Sequence, residues 1–382
     1  MSVSKYLNPQ LYLRQQPVML GILSVIGIVF FLFVTFLSRT YYAQRRALGS
    51  RWFSRGTSDL RAKNYGAAVT EFRAALLYSR DDYSYQLNMA EALIGTKKSG
   101  EASAYLLNLW DREPEDGLVN LELARIAAQQ GQTEQSIRHY HDAVYAAWPA
   151  DREGKRRDAR FELVELLLRT NARAQAQAEL IALAENVDDD PEQHLRIGDL
   201  FVRAQDYEYA LASYRIALKS KPPNPAAMAG AGNAAFELGR FALAKNYLAD
   251  AAAHEPQDIH LSEQIKMAEL VLSMDPYRPK ISIKDRNRSV MQAFATAGQR
   301  LIACAAAKRS APQPGTPQLS LNDSWAAIKP HMTEAELRRD LELMDSAMEL
   351  AFRIERQSGE SCGAPQEADQ ALLLIAKSHE GN

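Results

Sequence analysis

Small and apolar residues return along this chain at a spacing of 34 positions. Gly56 is followed by Tyr65, Ala68, Val69, Phe72, Ala75 and Leu76. One period on come Ala90, Ala102, Leu106, Leu109 and a closing Pro114. The next unit carries Ala124, Gly131, Ser136, Ile137, Tyr140, Ala143, Val144 and Pro149. Val164, Ala176, Leu180 and Leu183 follow after a shift of 40, the extra residues falling in a joint at 148–154. Two further units return to 34: Gly198, Tyr207, Ala210, Leu211, Tyr214, Ala217, Leu218 and Pro222, then Gly232, Gly239, Phe241, Ala244, Leu248, Ala251 and Pro256. A period of this length belongs to a stack of small supersecondary units, each contacting its neighbours, and not to one globular core. Within a unit the apolar spacings of three and four predict two helices. Gly95, Gly131 and Gly239, or turns at Asn64 and Asp206, separate them, and proline ends the second.

These residues resemble the tetratricopeptide repeat: Gly, Tyr nine on, Ala twelve on, an aromatic sixteen on, Ala nineteen on and Pro about twenty-four on. Six such units over 49–257 imply an all-α, right-handed helical solenoid, and 258–274 resembles the helix that caps such arrays. In this family the first helix of each unit lines the concave face, where peptides bind. The residues one place after the small-residue site are Thr57, Glu91, Arg125, Glu165, Asp199 and Asn233, all polar. With the neighbouring Asn88, Arg196 and Arg203 they form the expected partner-binding groove. Their mixed charges suit a mixed polar peptide or a folded partner better than a bare carboxylate. The Lys and Asn pair of the family's carboxylate clamp is missing, with Phe53 and Thr57 at those places. A solvated stripe of amphipathic helices would give the same pattern.

Before the repeats lies a run without charge from Val18 to Leu37. As a helix it spans about 30 Å, a hydrocarbon core. The expected order is therefore a short tail (1–17), a transmembrane helix (18–37), a basic juxtamembrane segment (38–48) and then the repeats. The run is longer than a signal-peptide core, and no small-residue cleavage site follows. Orientation is contested within the sequence. Arg39, Arg45, Arg46, Arg51 and Arg55 follow the span with no acid before Asp59, which favours a cytoplasmic body. The tail also carries Lys5 and Arg14 without an acid, and long domains cross largely regardless of charge. The expectation leans to a single-pass protein of a bacterial-type inner (cytoplasmic) membrane with its body extracytoplasmic.

Past Met274 the period is lost, and 275–382 reads as a helical region. A helix over 285–308 is followed by a proline-rich linker at 310–322 and a long helix beginning at the Thr333 capping box. A last helix opens at Pro365. The basic stretch 277–309 and the acidic stretch 334–360 read as helices packed with complementary flanks, an end cap for the repeats. Cys304 and Cys362 are the only two cysteines. Either they bridge the first and last of these helices, which requires an oxidising compartment, or they are separate thiols.

Composition narrows the function class. A net charge of −2 does not suit a dedicated nucleic-acid binder, and a mean hydropathy of −0.32 excludes a polytopic membrane protein. No phosphate-binding loop, zinc motif or nucleophile elbow is present. Gly230 to Ala235 follows a repeat and not a strand, so it reads as close helix packing. His139 and His141 point to different faces of one helix. No catalytic residue, cofactor, metal, nucleic acid or small-molecule substrate is expected. The expected function is a membrane-anchored scaffold or assembly adaptor that binds a peptide or protein of an envelope complex. The alternative is a structural subunit of a larger membrane complex.

Overall fold

A computed structural model describes residues 9–148, 150–188, 190–219, 224–307 and 317–380. Pro149, Pro222 and most of the expected proline-rich linker lie outside them. The described residues are helical, with no strand among them, and divide into two compact units, Met1–Leu166 and Leu167–Asn382.

The first unit holds α1 (Pro9–Arg61), α2 (Tyr65–Tyr78), α3 (Tyr83–Gly95), α4 (Ser99–Trp110), α5 (Gly117–Gln129) and α6 (Thr133–Tyr145). It also holds most of α7 (Glu153–Arg169). The expected tail, span, juxtamembrane segment and first repeat helix are not separate elements. One helix of 53 residues runs from Pro9 in the tail through the rest of them, because no proline or glycine pair interrupts it after Pro17. From Met19 it contains a stretch long and apolar enough to cross a membrane, of mean hydropathy 2.8 and with none of it buried. Beyond Gly49 the same helix pairs with α2, and α3 with α4 and α5 with α6 do likewise.

The second unit contains α8 (Arg173–Glu185), α9 (Pro191–Arg203), α10 (Tyr207–Ala217), α11 (Pro225–Glu237), α12 (Phe241–His254) and α13 (Ile259–Met274). It continues through α14 (Ile283–Ala307), α15 (Pro317–Ile328), α16 (Glu334–Arg339), α17 (Leu341–Ser361) and α18 (Glu367–Glu380). α9 pairs with α10 and α11 with α12.

Two backbone devices explain why the helices start and stop where they do. Each turn within a pair contains one residue with left-handed φ: Lys63, Lys97, Gly131, Asn171, Gln205 and Gly239. They fall 34 apart, with a single step of 40. The next amide in every case reaches back five residues to a carbonyl, from Asn64 to Asp59 (2.8 Å) through Arg240 to Ala235 (2.8 Å). That bond closes the helix end. Gly95, expected as a turn, is instead the last residue of α3 and packs under the Tyr65 ring. The second device is an Asp or Asn at the start of the first helix. Asp82, Asp116, Asp190, Asn224 and Asp258 each accept a bond from a backbone amide one turn in. The longer fourth unit lacks this cap, and α7 begins directly from a short 3₁₀ turn.

Packing then follows from size. A Cβ at Gly56 would stand 2.6 Å from the Phe72 ring, at Gly198 2.7 Å from Tyr214, and at Gly232 2.6 Å from Leu248. Helices approach closely only because these positions carry no side chain. Gly230 packs in the same way against Tyr214, as the reading of that segment expected.

The C-terminal helices are not a separate body within the second unit. Phe241, Ala268 and Val271 share one buried cluster with Val290, Phe294, Leu301, Met344, Met348, Ile354, Leu372 and Ile375. Two expectations change here. Pro317 opens α15 as its first residue, so the linker does not extend to 322. The long helix breaks at Asp340, whose carboxylate caps α17 through the Glu342 and Leu343 amides. The basic and acidic helices α14 and α17 meet through apolar side chains, while the buried ion pair runs from Arg300 to Asp369 of α18 (3.7 Å). Glu355, 1% exposed, lies beside this pair, and burial followed by the Asp369 charge pushes its carboxyl up to about 8.

The left-handed turns make a direct prediction. Nothing lies within 4 Å of a Cβ built at Gly131, so Gly131→Ala tests φ alone. It should destabilise the first unit by about 1 kcal/mol, read from the denaturant midpoint. An unchanged midpoint would show that the turn relaxes.

Candidate partner-binding surface

In the first unit the expected groove residues divide by what they touch. Thr57 is half-buried and its hydroxyl donates to the carbonyl of Ser54 (2.9 Å). Asn88 donates to Ser84 (2.8 Å), and Glu91 is exposed. Glu165 is half-buried. Arg125 is a different case. Its Nε and Nη2 donate to the two carboxylate oxygens of Glu162 on α7 (2.9 and 2.6 Å), and its Nη1 donates to Glu122 Oε1 (2.6 Å). The Tyr140 hydroxyl adds a fourth bond to Glu162 Oε2 (2.9 Å). This guanidinium is committed to joining α5 to α7.

The electrostatics agree. Hydrogen bonds to Glu162 hold Arg125 above its ordinary range, against burial. Burial alone would raise the Glu162 carboxyl, but bonds from Arg125 and Tyr140 hold it below the usual carboxylate range. Glu122 is buried more deeply, and desolvation raises it despite Arg125.

Glu122 and Glu162 were missed as groove residues, although the signal was present. Both stand two places before the small-residue site, as do Asn88 and Arg196 of the expected groove.

In the second unit three of the four expected residues converge. Asp199, Arg203 and Asn233 line one cleft of about 510 Å³, with Val202, Tyr214 and Gly230. Arg196 is exposed and does not line it. The Tyr214 ring lies against both Gly198 and Gly230, and its hydroxyl donates to Asp199 Oδ1 (2.7 Å). Burial, then that bond to an anion, raises the phenol. Asp199 is thereby held at the mouth, while Arg203 on the same helix stays exposed. The Asn233 side-chain oxygen is buried and has no hydrogen-bond partner among the described residues. A buried acceptor in that state costs about 1–3 kcal/mol relative to a bonded one.

Elsewhere the chemistry is structural. His139 bonds Asn120 (2.9 Å) and His141 stacks on Tyr145, so they do face apart. The described residues contain no cluster of metal-binding side chains. Cys304 and Cys362 are brought together with Cα atoms 5.3 Å apart, inside the range that a disulfide spans. Arg300, one turn before Cys304, grips the same loop through the carbonyls of Gly363 (2.6 Å) and Ala364 (3.4 Å).

Residues 195–259, which carry all of the cleft's lining but Leu261, match the tetratricopeptide repeat family. No curated protein matches the sequence. Among solved structures, PilF of Pseudomonas aeruginosa is similar at 15% identity, over 58% of this chain and 97% of that one, with a TM-score of 0.42. The C-terminal part of a TPR repeat-containing protein from Cytophaga hutchinsonii is similar at 13% identity, over 82% and 100%, with a TM-score of 0.43. YrrB, described as a TPR protein with an unusual peptide-binding site, is similar at 16% identity, over 51% and 97%, with a TM-score of 0.41.

The Arg125 network predicts a stability effect where the sequence pattern expected a binding one. Arg125→Ala leaves Glu122 without its cation and Glu162 with only the Tyr140 bond, and should cost about 2 kcal/mol at pH 7. Glu162 titrates lower in the folded than in the unfolded chain. Its contribution is therefore complete above the ordinary carboxylate range and is lost as pH falls through the depressed one. Denaturant midpoints of wild type and variant should converge in acid; a gap independent of pH would point to lost packing instead.

Proposed function

We propose that this chain of tetratricopeptide repeats, carried behind one long apolar helix, is a membrane-anchored interaction scaffold that takes a peptide or protein segment into the cleft of its second unit. The observation that carries the reading is the convergence of Asn233, an exposed Arg203 and an Asp199 fixed by Tyr214 on one trough. Small residues at Ala226 and Ala229 leave room for a backbone to lie close. A segment offering polar groups beside Asn233 and charges of both signs at the mouth is complementary. Neither an exposed cationic clamp nor a catalytic group is needed for that role. Arg203→Ala and Asn233→Ala together should lower capture of the partner about tenfold, the loss of one or two bonds.

A photo-reactive residue at position 233, in the full chain in its native membrane, reads the site directly. Crosslinks from 233 to one recurrent partner peptide are expected. A second probe at position 215, exposed on α10 outside the cleft, gives the contrast: crosslinks from 215 and none from 233 would sink the groove reading and favour a structural subunit of a larger complex.

The apolar run from Met19 is proposed as the single membrane span, of bacterial inner-membrane type, on the strength of its length, hydropathy and exposure. Cys304 and Cys362 are proposed to be bonded, which places the body in an oxidising, extracytoplasmic compartment. A bridge closing a loop of 58 residues is worth about 4 kcal/mol on the chain-entropy account. Peptide mass spectrometry without reductant, on protein taken from its own membrane, should recover the linked pair. Two free thiols there would move the body to the cytoplasmic side.

A further inference from the structure

Where α1 leaves its apolar run it continues, still helical, into the first repeat, so the residues between have fixed heights and directions. At about 100° per residue, Arg39, Tyr41, Tyr42, Arg45 and Arg46 fall within an arc of about 160° on the helix. Gly49, Phe53 and Gly56, against which the first unit packs, fall within the same arc. Gly49 lies under Tyr78 and Tyr85, Gly56 lies under Phe72, and Phe53 stacks on Tyr85. Arg51 and Arg55 fall outside it.

The C-terminal end of α2 therefore overhangs this basic and aromatic face. Arg45 Nη2 donates to the carbonyl of Leu77 (3.1 Å), which fixes the overhang, and the Leu77 side chain is 74% exposed. Tyr41 and Tyr42 are 60% and 55% exposed. Measured from Leu37 at 1.5 Å per residue, Arg39 and the tyrosines stand about 3–8 Å above the hydrocarbon, and Arg45 and Arg46 about 12–14 Å. The headgroup layer is about 5–8 Å thick on each side. The tyrosines lie within it, and the arginine stems reach down to it. No carboxylate occurs between the apolar run and Asp59 to neutralise these cations.

We propose that this face is a binding site for anionic phospholipid headgroups, seating the overhanging end of the first repeat on the bilayer. The proposal rests on the anchoring reading. A guanidinium fork matches a phosphate by two parallel bonds, which a lone exposed amine would not. Arg39 and Arg46 supply such forks, Tyr41 and Tyr42, whose rings pack edge to face 5.7 Å apart, flank them on one side, and Leu77 overhangs the site from above.

The test uses the full chain reconstituted in vesicles of equal phosphatidylglycerol and phosphatidylcholine, with retained lipid counted by native mass spectrometry. Wild type should retain phosphatidylglycerol over phosphatidylcholine several-fold. Arg39→Gln with Arg46→Gln should bring that ratio down to the bulk value, whereas Arg51→Gln with Arg55→Gln, removing the same charge outside the arc, should leave it. Equal retention of both lipids by wild type, or equal loss in both double variants, would overturn the site. Alkaline carbonate extraction of the same vesicles tells this apart from failure of the anchor. A chain that washes off sinks the anchoring reading and the lipid site with it; a chain that stays without lipid preference sinks the site alone.

Discussion

The repeats, apart from the fourth with its Val164, depend on one steric fact: a ring or branched side chain from the second helix lies where the first helix has no side chain, or only a methyl. Phe72 on Gly56, Tyr214 on Gly198 and Leu248 on Gly232 are the clearest cases, and Ala90 and Ala124 are wholly buried at the equivalent places. The contact sets the spacing of the two helices and so decides which residues of the first helix remain open. Polar residues one place on from the small site are left half-buried or exposed because the preceding residue is so close to its neighbour. The cleft around Asn233 follows from the same packing, since Tyr214 wedges between two glycines and leaves its hydroxyl to hold Asp199.

Much of this was legible in the residues. The period of 34, its single step to 40 and the small-residue register are composition repeated in space, and they need no long-range contact to be read. The turns were less legible. Lys63, Lys97 and Gln205 adopt a left-handed φ that glycine would advertise, and the closing bond of the helix holds them there. The Asp and Asn caps were visible in retrospect, at the same period. A capping residue is ordinary in isolation, and only its phase against the helix gives it meaning.

The site was legible as a direction and not as a set of contacts. Asp199, Arg203 and Asn233 share a cleft as their register implies. Arg125 stands in the same register and is consumed by Glu162, 37 residues away, because the fourth unit, like the third, carries an acid where the second has Asn88 and the fifth Arg196. Register says which way a side chain points; the partner across the gap decides whether it is available. The C-terminal helices show the same limit. Pro317 was read as part of a linker, yet proline is equally at home as the first residue of a helix, and only the packing around α15 separates the two.

The uninterrupted α1 turns counting into geometry. With no joint between the apolar run and the first repeat, each residue inserted or removed between Leu37 and Gly49 would rotate the repeats about the helix axis by about 100° and lift or lower them by about 1.5 Å. The segment works as a shaft with a set phase, and its length in residues, more than its composition, determines which face of the first unit looks along the membrane surface.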